Sequence, residues 1–218
     1  PVVLRLVQPQ FVANQWRRFL YPIVDSRPGV TPPVGQLTDA DAFNISTVSV
    51  EENGLAVANG TGTKIPYVSP PGILRDQEYG SSSTSRLQNE QSLRLSVVNL
   101  RDGFAKAAYK NITINMLRYK RLRMFLHGDS EDDNVKDGEV QAFIRIGTDY
   151  TQNYYQYSRP LNLTKPGETG QAQVWRPDNT IDVAFQDFID AKAKRNQTFG
   201  NNPLIPFTVD LPNGASIT

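Results

Sequence analysis

The sequence predicts a mainly β fold, an antiparallel β-sandwich or jelly-roll-like domain with a short helix near the C-terminal end and an extended N-terminal segment. Short segments alternate between apolar and polar residues at the period of a strand, and turn residues separate them. Proline is absent between Pro71 and Pro160, and central strands exclude proline because it cannot donate a ladder hydrogen bond. We therefore expect the folded centre of the chain in this proline-free interval.

The distribution of proline, glycine and serine divides the chain into three consecutive segments. Residues 1–86 are expected to form extended strands and linkers that pack partly on the main domain. Residues 87–196 are expected to form the β-sandwich domain, and residues 197–218 a C-terminal tail. Because the chain begins at Pro1 without methionine, we expect it to be a fragment of a larger protein.

Three strands are predicted in the N-terminal segment, each from a short alternating or apolar pattern. They are VVLRLV at 2–7, WRRFLY at 16–21 and FNISTVSVEEN at 43–53. Proline and glycine mark a linker at 21–35, and serine-rich residues 80–86 predict a polar loop.

The main domain is predicted to begin with a strand at 93–100 and a turn at Asp102–Gly103, since Asp-Gly favours a tight turn. The segment 104–117 mixes helix-forming and β-branched residues, and we favour a strand there. Strict alternation then predicts strands at 121–128 and 140–147.

The remaining elements follow the tyrosine-rich segment. A strand is predicted from residue 154 in YYQYSRPLNL, ending at Pro160, and a turn followed by a strand at 174–185. A short helix is predicted at 187–196, with Asp187 as its cap and basic residues at its C-terminal end, where they oppose the helix dipole.

Composition excludes several function classes. The 23 basic and 22 acidic residues nearly balance, which argues against a nucleic-acid partner. The absence of cysteine excludes disulfides and thiolate metal sites, and a single histidine, His127, disfavours a histidine-based metal or catalytic site. The nucleophile-elbow and phosphate-loop motifs are absent from the sequence. We expect a non-enzyme without a required cofactor and without a small-molecule substrate.

An acidic loop at 129–139 offers the only candidate metal ligands that we single out. Asp129, Glu131, Asp133 and Asp137 could supply the oxygen ligands that Ca²⁺ prefers, although the spacing does not match an EF-hand. The alternative is a solvated hairpin loop between two strands.

Clustered tyrosines predict a contact surface. Tyr150, Tyr155 and Tyr157 are candidates for a platform that stacks on sugars or on an extended polypeptide. Strand alternation places Tyr155 and Tyr157 on one face and Tyr154 on the other. The alternative is that these rings pack in the core, with their hydroxyl groups on polar partners.

A basic run supplies a second candidate surface. Alternation at strand period puts Arg121 and Arg123 on one face, with Leu122 on the other, and makes Arg145 a plausible companion. These cations could contact an acidic partner or lipid headgroups. Alternatively, they pair with the acidic loop or with solvent.

Several ordered segments resemble one family. The segments are LQNEQSLRL, NLRDGFAKAAYKN, RYKRLRMFLH, DGEVQAFIRIGTDYTQNYYQYSRPL and VWRPDNTIDVAFQDFIDAKAKRN, with QWRRF, NISTVSVEEN and IPYVSPPGILRDQE upstream. Over most of residues 14–196 the chain resembles the SprA/Sov family, the gliding-motility and type IX secretion proteins of Bacteroidetes-type bacteria. The acidic loop and the tail after residue 196 depart from the resemblance.

The resemblance implies a part of the outer-membrane translocon through which type IX cargo leaves the cell. It implies a soluble domain on the extracellular or periplasmic face that acts structurally or in contacts. Its partners would be the rest of the parent translocon barrel, other type IX secretion components and secreted cargo proteins. The alternative function is a carbohydrate-binding β-sandwich module at the cell surface.

Overall fold

The protein is described here by a computed structural model that covers residues 16–20, 23–24, 43–54, 65–79, 85–100, 102–149, 152–200, 202 and 205–218. The strands, numbered in chain order, are Arg17–Arg18 (β1), Ile23–Val24 (β2), Phe43–Ser49 (β3), Gln77–Tyr79 (β4), Ser85–Leu87 (β5), Gln91–Val97 (β6), Phe104–Ala105 (β7), Ala108–Tyr109 (β8), Arg121–Met124 (β9), Gln141–Gly147 (β10), Tyr154–Pro160 (β11), Ile181–Ala184 (β12), Val209–Asp210 (β13) and Ser216–Ile217 (β14). The α-helices span Val50–Asn53, Gln171–Val174 and Phe185–Phe199, and 3-10 helices span Met116–Arg118 and Pro177–Asn179.

Within the described residues, the strands form one four-stranded sheet of order β10-β11-β14-β13 and five two-stranded ribbons. The ribbons are β1-β8, β2-β7, β3-β6, β4-β5 and β9-β12. The pairings with a described register are antiparallel. The predicted fold class, mainly antiparallel β with a helix near the C-terminal end, is confirmed, and the arrangement is consistent with a β-sandwich-like fold.

The chain divides into two compact units that are discontinuous in sequence. The first comprises Pro1–Asp25, Pro32–Ser46 and Arg94–Asn115, and the second comprises Ser26–Thr31, Thr47–Leu93 and Met116–Thr218. This division differs from the three consecutive segments predicted from composition. Strand pairing joins residues far apart in sequence, and composition along the chain does not report such pairing.

Two short ribbons organise the described part of the first unit. β1 pairs with β8, and a hydrogen bond from the Phe19 backbone nitrogen to the Ala107 oxygen at 2.8 Å extends this ribbon. The Phe19 and Tyr109 rings meet edge to face, with centroids 6.5 Å apart. The predicted turn at Asp102–Gly103 is present, and Gly103 adopts a φ of 78° that a side chain would disfavour.

The main core lies in the second unit, between the four-stranded sheet, the β9-β12 ribbon and the long helix Phe185–Phe199. Its buried members, drawn from all three, are Tyr157, Ile181, Val183, Phe188, Ala191, Ala215 and Ile217. A second cluster joins Ile65, Tyr67, Val174 and Trp175. Burial of these apolar side chains is the dominant favourable contribution to folding of this unit.

The long helix begins two residues earlier and ends three residues later than predicted. The Ala184 backbone nitrogen donates to the Asp187 carboxylate at 3.2 Å, so Asp187 stabilises the first turn from inside the helix and not from the cap position. Phe188 and Ala191, three residues apart, face the core. The basic residues predicted for the last turn lie before it, because the helix continues to Phe199.

The predicted strand at 43–53 is too long. It ends at Ser49, and a helical turn follows at Val50–Asn53. The Ser49 hydroxyl accepts a hydrogen bond from the Glu52 backbone nitrogen at 3.1 Å. This Ser-x-x-Glu spacing is a helix-start signal that alternation of apolar residues conceals.

The strand favoured at 104–117 is only partly present. β7 and β8 are two residues each, and residues 110–115 have no regular structure before the 3-10 helix. The strand predicted at 121–128 ends at Met124, where its pairing with β12 ends at Ile181. The strand predicted at 16–21 covers only β1, and the one at 2–7 lies outside the described residues.

The predicted C-terminal tail belongs to the core sheet. β14 pairs with β11, which places Ile217 beside Tyr157. A turn at Pro212–Gly214 joins β13 to β14, with the Leu211 nitrogen donating to the Ala215 oxygen at 2.8 Å. The sequence Pro-Asn-Gly is typical of such a turn.

Candidate contact surface

The β9-β12 ribbon presents one apolar and one charged face. Leu122 pairs with Val183 and packs against the main core, while Arg123 pairs with Asp182 on the opposite face. Arg121 shares that outer face because strand side chains alternate. The predicted common face of Arg121 and Arg123 is therefore present. We name Arg121, Arg123 and Asp182 the arginine surface.

A single carboxylate holds both guanidinium groups. Arg121 Nε donates to Asp182 Oδ1 at 2.7 Å, and Arg123 Nε donates to Asp182 Oδ2 at 3.1 Å. Arg123 Nη2 also lies 3.1 Å from Asp182 Oδ2. The two arginine side chains remain 50% and 73% exposed. Two positive charges against one negative charge leave a net positive surface that water and a partner can both reach.

Electrostatics stabilise the ionic forms of Arg121 and Asp182. The hydrogen bond to Asp182, followed by its charge, raises the pKa of Arg121. The hydrogen bonds from Arg121 and then Arg123 lower the pKa of Asp182 below its usual value. The ionic forms of Arg121 and Asp182 therefore stabilise each other.

Further basic residues precede the arginine surface along the chain. Arg118 and Lys120 are exposed, and Tyr119 between them is 55% exposed. The Lys120 carbonyl accepts a hydrogen bond from the Phe185 nitrogen at 3.0 Å, which fixes the backbone at this point to the start of the long helix. The backbone of the exposed basic run is thus hydrogen-bonded to the long helix.

Two shallow hollows lie on either side of Asp182. The first, of about 360 Å³, is lined by Arg123, Met124, Phe125, Thr180 and Asp182. The second, of about 280 Å³, is lined by Tyr157, Asp182, Val183, Asp187, Leu211, Pro212 and Asn213. Met124 and Phe125 are 36% and 38% exposed, so the first hollow offers apolar surface directly beside Arg123.

Arg145 does not join Arg121 and Arg123, contrary to the prediction. It lies on β10 in the four-stranded sheet, whereas the other two lie on the β9-β12 ribbon. Its guanidinium carbon is 3.8 Å from the centroid of the Tyr154 ring, and Nη2 donates to Gln156 Oε1 at 2.7 Å. Burial lowers the pKa of Arg145. This stacked arrangement packs the outer face of the sheet.

The tyrosines divide as alternation predicts, but their shared face is the core face. Tyr157 is completely buried, and its hydroxyl lies 3.4 Å from Asn213 Nδ2. The Tyr155 ring packs edge to face on Phe188, with centroids 5.8 Å apart. These two side chains match the alternative of core packing and are not available as an open platform. Tyr150 lies outside the described residues.

The acidic loop shows turns rather than a formed metal cage. Asp137 Oδ1 accepts a hydrogen bond from the Leu163 nitrogen at 2.6 Å, and Asp132 Oδ1 accepts one from the Asn134 nitrogen at 2.9 Å. Within the described ranges, which include Asp129, Glu131 and Asp133, no three acidic or histidine side chains are grouped as a metal site requires. Calcium binding by this loop stays a prediction from the sequence.

Sequence reasoning missed Asp182 and the apolar hollow. The signal for Asp182 was present in the segment Ile181–Ala184, where it separates two apolar residues at strand period. Its pairing with Arg121 and Arg123 depends on which strand lies beside β9, and the single sequence does not state this.

The arrangement is suited to binding. Exposed guanidinium groups beside an apolar hollow can hold a carboxylate and an apolar side chain together. In the part of the chain that the structure describes, no helix has both the length and the apolar character needed to span a membrane.

One family model matches nearly the entire chain. The model is SprA_N, described as a motility related/secretion protein, and it matches residues 1–215. No curated protein matches the chain.

Proposed function

The chain belongs to the SprA_N family of motility-related and secretion proteins, and from this premise we propose that it is a domain of an outer-membrane type IX secretion translocon. The match over residues 1–215 supports the proposal most directly. The segments that resemble SprA/Sov proteins, RYKRLRMFLH and VWRPDNTIDVAF among them, support the finer assignment to type IX export. They contain β9 and β12 and therefore the arginine surface.

The proposed role is structural and contact-forming rather than catalytic. The core of the second unit holds the β9-β12 ribbon in place, so that Arg121, Asp182 and Arg123 face outward in fixed geometry. A rigid domain with such a surface can hold a translocon component or a cargo protein beside the export path. Charged groups at such a surface contribute orientation and association rate more than affinity.

Charge reversal in the intact parent protein tests this role. We expect Arg121→Glu combined with Arg123→Glu to lower the amount of type IX cargo in the culture medium, with unchanged parent protein in the outer membrane. The matched control is Lys192→Glu combined with Lys194→Glu, which reverses two exposed charges on the long helix. Normal export by the arginine variant would contradict the role of this surface.

Point variants test this role more clearly than removal of the predicted main domain would. Replacing residues 87–196 with a linker would remove β8 from β1 and β11 from β14. Loss of export would then report unfolding of both units and not loss of a contact.

The carbohydrate-binding alternative has less support from the described residues. It depends on an open tyrosine platform, and Tyr155 and Tyr157 face the core. Tyr154 lies on the outer face of the sheet, where its ring is covered on one side by Arg145. Binding of the chain to a glycan array would favour this alternative if the Tyr154→Ala substitution abolished that binding.

A further inference from the structure

The surroundings of β9 combine a local excess of positive charge with apolar surface. Arg118, Lys120, Arg121 and Arg123 are exposed on a short stretch of chain. Asp182 is shared by two of these residues, and Asp187 also acts on Arg121 through its charge, so the four cations outnumber these two acidic groups. Coulombic attraction therefore favours an anionic partner here.

The apolar hollow beside Arg123 specifies more than a negative charge. Met124 and Phe125 line the hollow that Arg123 and Asp182 also line. A phosphate or a sulfated sugar could pair with the guanidinium groups but would gain nothing from the apolar lining. A polypeptide can supply a carboxylate and an apolar side chain at neighbouring positions.

The backbone of β9 favours an extended partner. Among the strands in the described ranges, β9 pairs with β12 alone. A polypeptide that aligns with its other edge can make main-chain hydrogen bonds, while alternate side chains reach the arginine face and the hollow. Four residues in β9 correspond to a contact length of about 13 Å at about 3.3 Å per residue.

We propose that the arginine surface and the adjoining Met124–Phe125 hollow bind an extended acidic segment of a partner protein, in which carboxylate and apolar side chains alternate. This inference rests on the proposed function and names the chemistry of the partner. Arg121 and Arg123 hold the carboxylates, and the hollow takes the apolar side chain.

Fluorescence anisotropy with the 218-residue chain and labelled synthetic octapeptides tests the proposal. The peptides alternate glutamate with leucine, glutamate with serine, or lysine with leucine. We expect the glutamate–leucine peptide to bind most tightly, with affinity that falls as salt increases. Arg121→Glu combined with Arg123→Glu should weaken this binding at least about tenfold, and the Lys192→Glu, Lys194→Glu control should not.

Three results would overturn the proposal. Equal binding of the glutamate–serine peptide would remove the role of the hollow, and equal binding of the lysine–leucine peptide would remove the role of charge. The third result is self-association of the chain. If the arginine charge reversal abolished it and the glutamate–leucine peptide did not compete with it, the surface would bind the acidic loop of a second copy.

The two hypotheses fail in different ways. Absence of peptide binding together with loss of export in the charge-reversed parent would overturn the acidic-segment proposal and leave the secretion role of the surface. Peptide binding together with normal export would support the acidic-segment chemistry and contradict the role of this surface in export.

Discussion

Tyr157 contributes to stability and not to a contact surface. Its side chain is completely buried and packs in the main core with residues of the sheet, the ribbon and the helix. We expect Tyr157→Ala to lower the free energy of unfolding by about 3 kcal/mol or more, because the cavity remains partly unfilled. Urea denaturation of the chain measures this change.

The control for this variant is Tyr119→Ala, which truncates an exposed tyrosine. It should change the free energy of unfolding by no more than about 0.5 kcal/mol. Equal stability of the Tyr157→Ala chain and the unmodified chain would show that the Tyr157 ring lies outside the core.

Arg159 is a buried cation whose guanidinium group is only partly satisfied by hydrogen bonds. Its side chain is on the core sheet with 8% exposure, and Nη1 donates to the Thr180 oxygen at 2.6 Å. Nε has no acceptor among the described residues. We expect Arg159→Met to raise the free energy of unfolding by about 1 kcal/mol, since desolvation of the charge costs more than one hydrogen bond returns.

Thermal and urea denaturation measure the effect of Arg159→Met. Lys165→Met, which replaces an exposed cation, should leave the stability within about 0.5 kcal/mol. A destabilised Arg159→Met chain would indicate that the guanidinium contributes more through Thr180 than it loses through burial.

Tyr67 makes stability depend on pH in the alkaline range. Its hydroxyl donates to Glu90 at 2.7 Å and lies 2.6 Å from Ser92 Oγ. Burial, as the largest cause, raises the pKa of Tyr67 above its ordinary value of 10.0. The unfolded phenol therefore ionises first. The stabilising contribution is complete below pH 10.0 and is lost as pH rises from there toward the raised pKa.

Tyr67→Phe provides the matched comparison because the other tyrosines titrate in both chains. We expect the free energy of unfolding to fall more steeply above pH 10.0 in the unmodified chain than in the Tyr67→Phe chain. Parallel curves would show that the folded and unfolded states bind this proton with equal affinity.

The hairpin of β13 and β14 depends on its turn. Gly214 has a φ of 74°, which a residue with a Cβ atom adopts at a cost. We expect Gly214→Ala to lower the free energy of unfolding by about 1 kcal/mol, and Gly214→Asn to cost less because asparagine tolerates this conformation. Urea denaturation compares the two variants, and an equal loss in both would contradict a conformational origin.

Elements with a clear period were predictable, and short or non-local ones were not. β10 and β11 were predicted almost to the residue, because β10 alternates at strand period and Pro160 marks the end of β11. β13 and β14 are two residues each and present no period. Ile217 of β14 is buried in the main core, and a segment of two residues gives no sequence signal for that burial.

The candidate site was predictable only within one strand. The common face of Arg121 and Arg123 follows from alternation and was predicted. The partner Asp182 lies 59 residues from Arg123 in sequence, and the companion chosen from sequence, Arg145, belongs to another sheet. Packing of the whole core determines which distant strands pair, and the local sequence pattern does not show this pairing.

The two units differ in what they need from the C-terminal residues. β14 supplies Ile217 to the core of the second unit, whereas the β1-β8 and β2-β7 ribbons of the first unit contain no residue beyond Tyr109. We expect a chain that ends at residue 204 to lose amide protection across β11 and to keep it at Phe19, whose nitrogen donates to Ala107. Hydrogen exchange with mass spectrometry measures both.

The control is Ile217→Val in the full chain, which keeps the strand and most of the side-chain volume and should retain protection in β11. Protected β11 amides in the shortened chain would show that β14 only covers a sheet already stable without it, and a simultaneous loss at Phe19 would show that the two units unfold together.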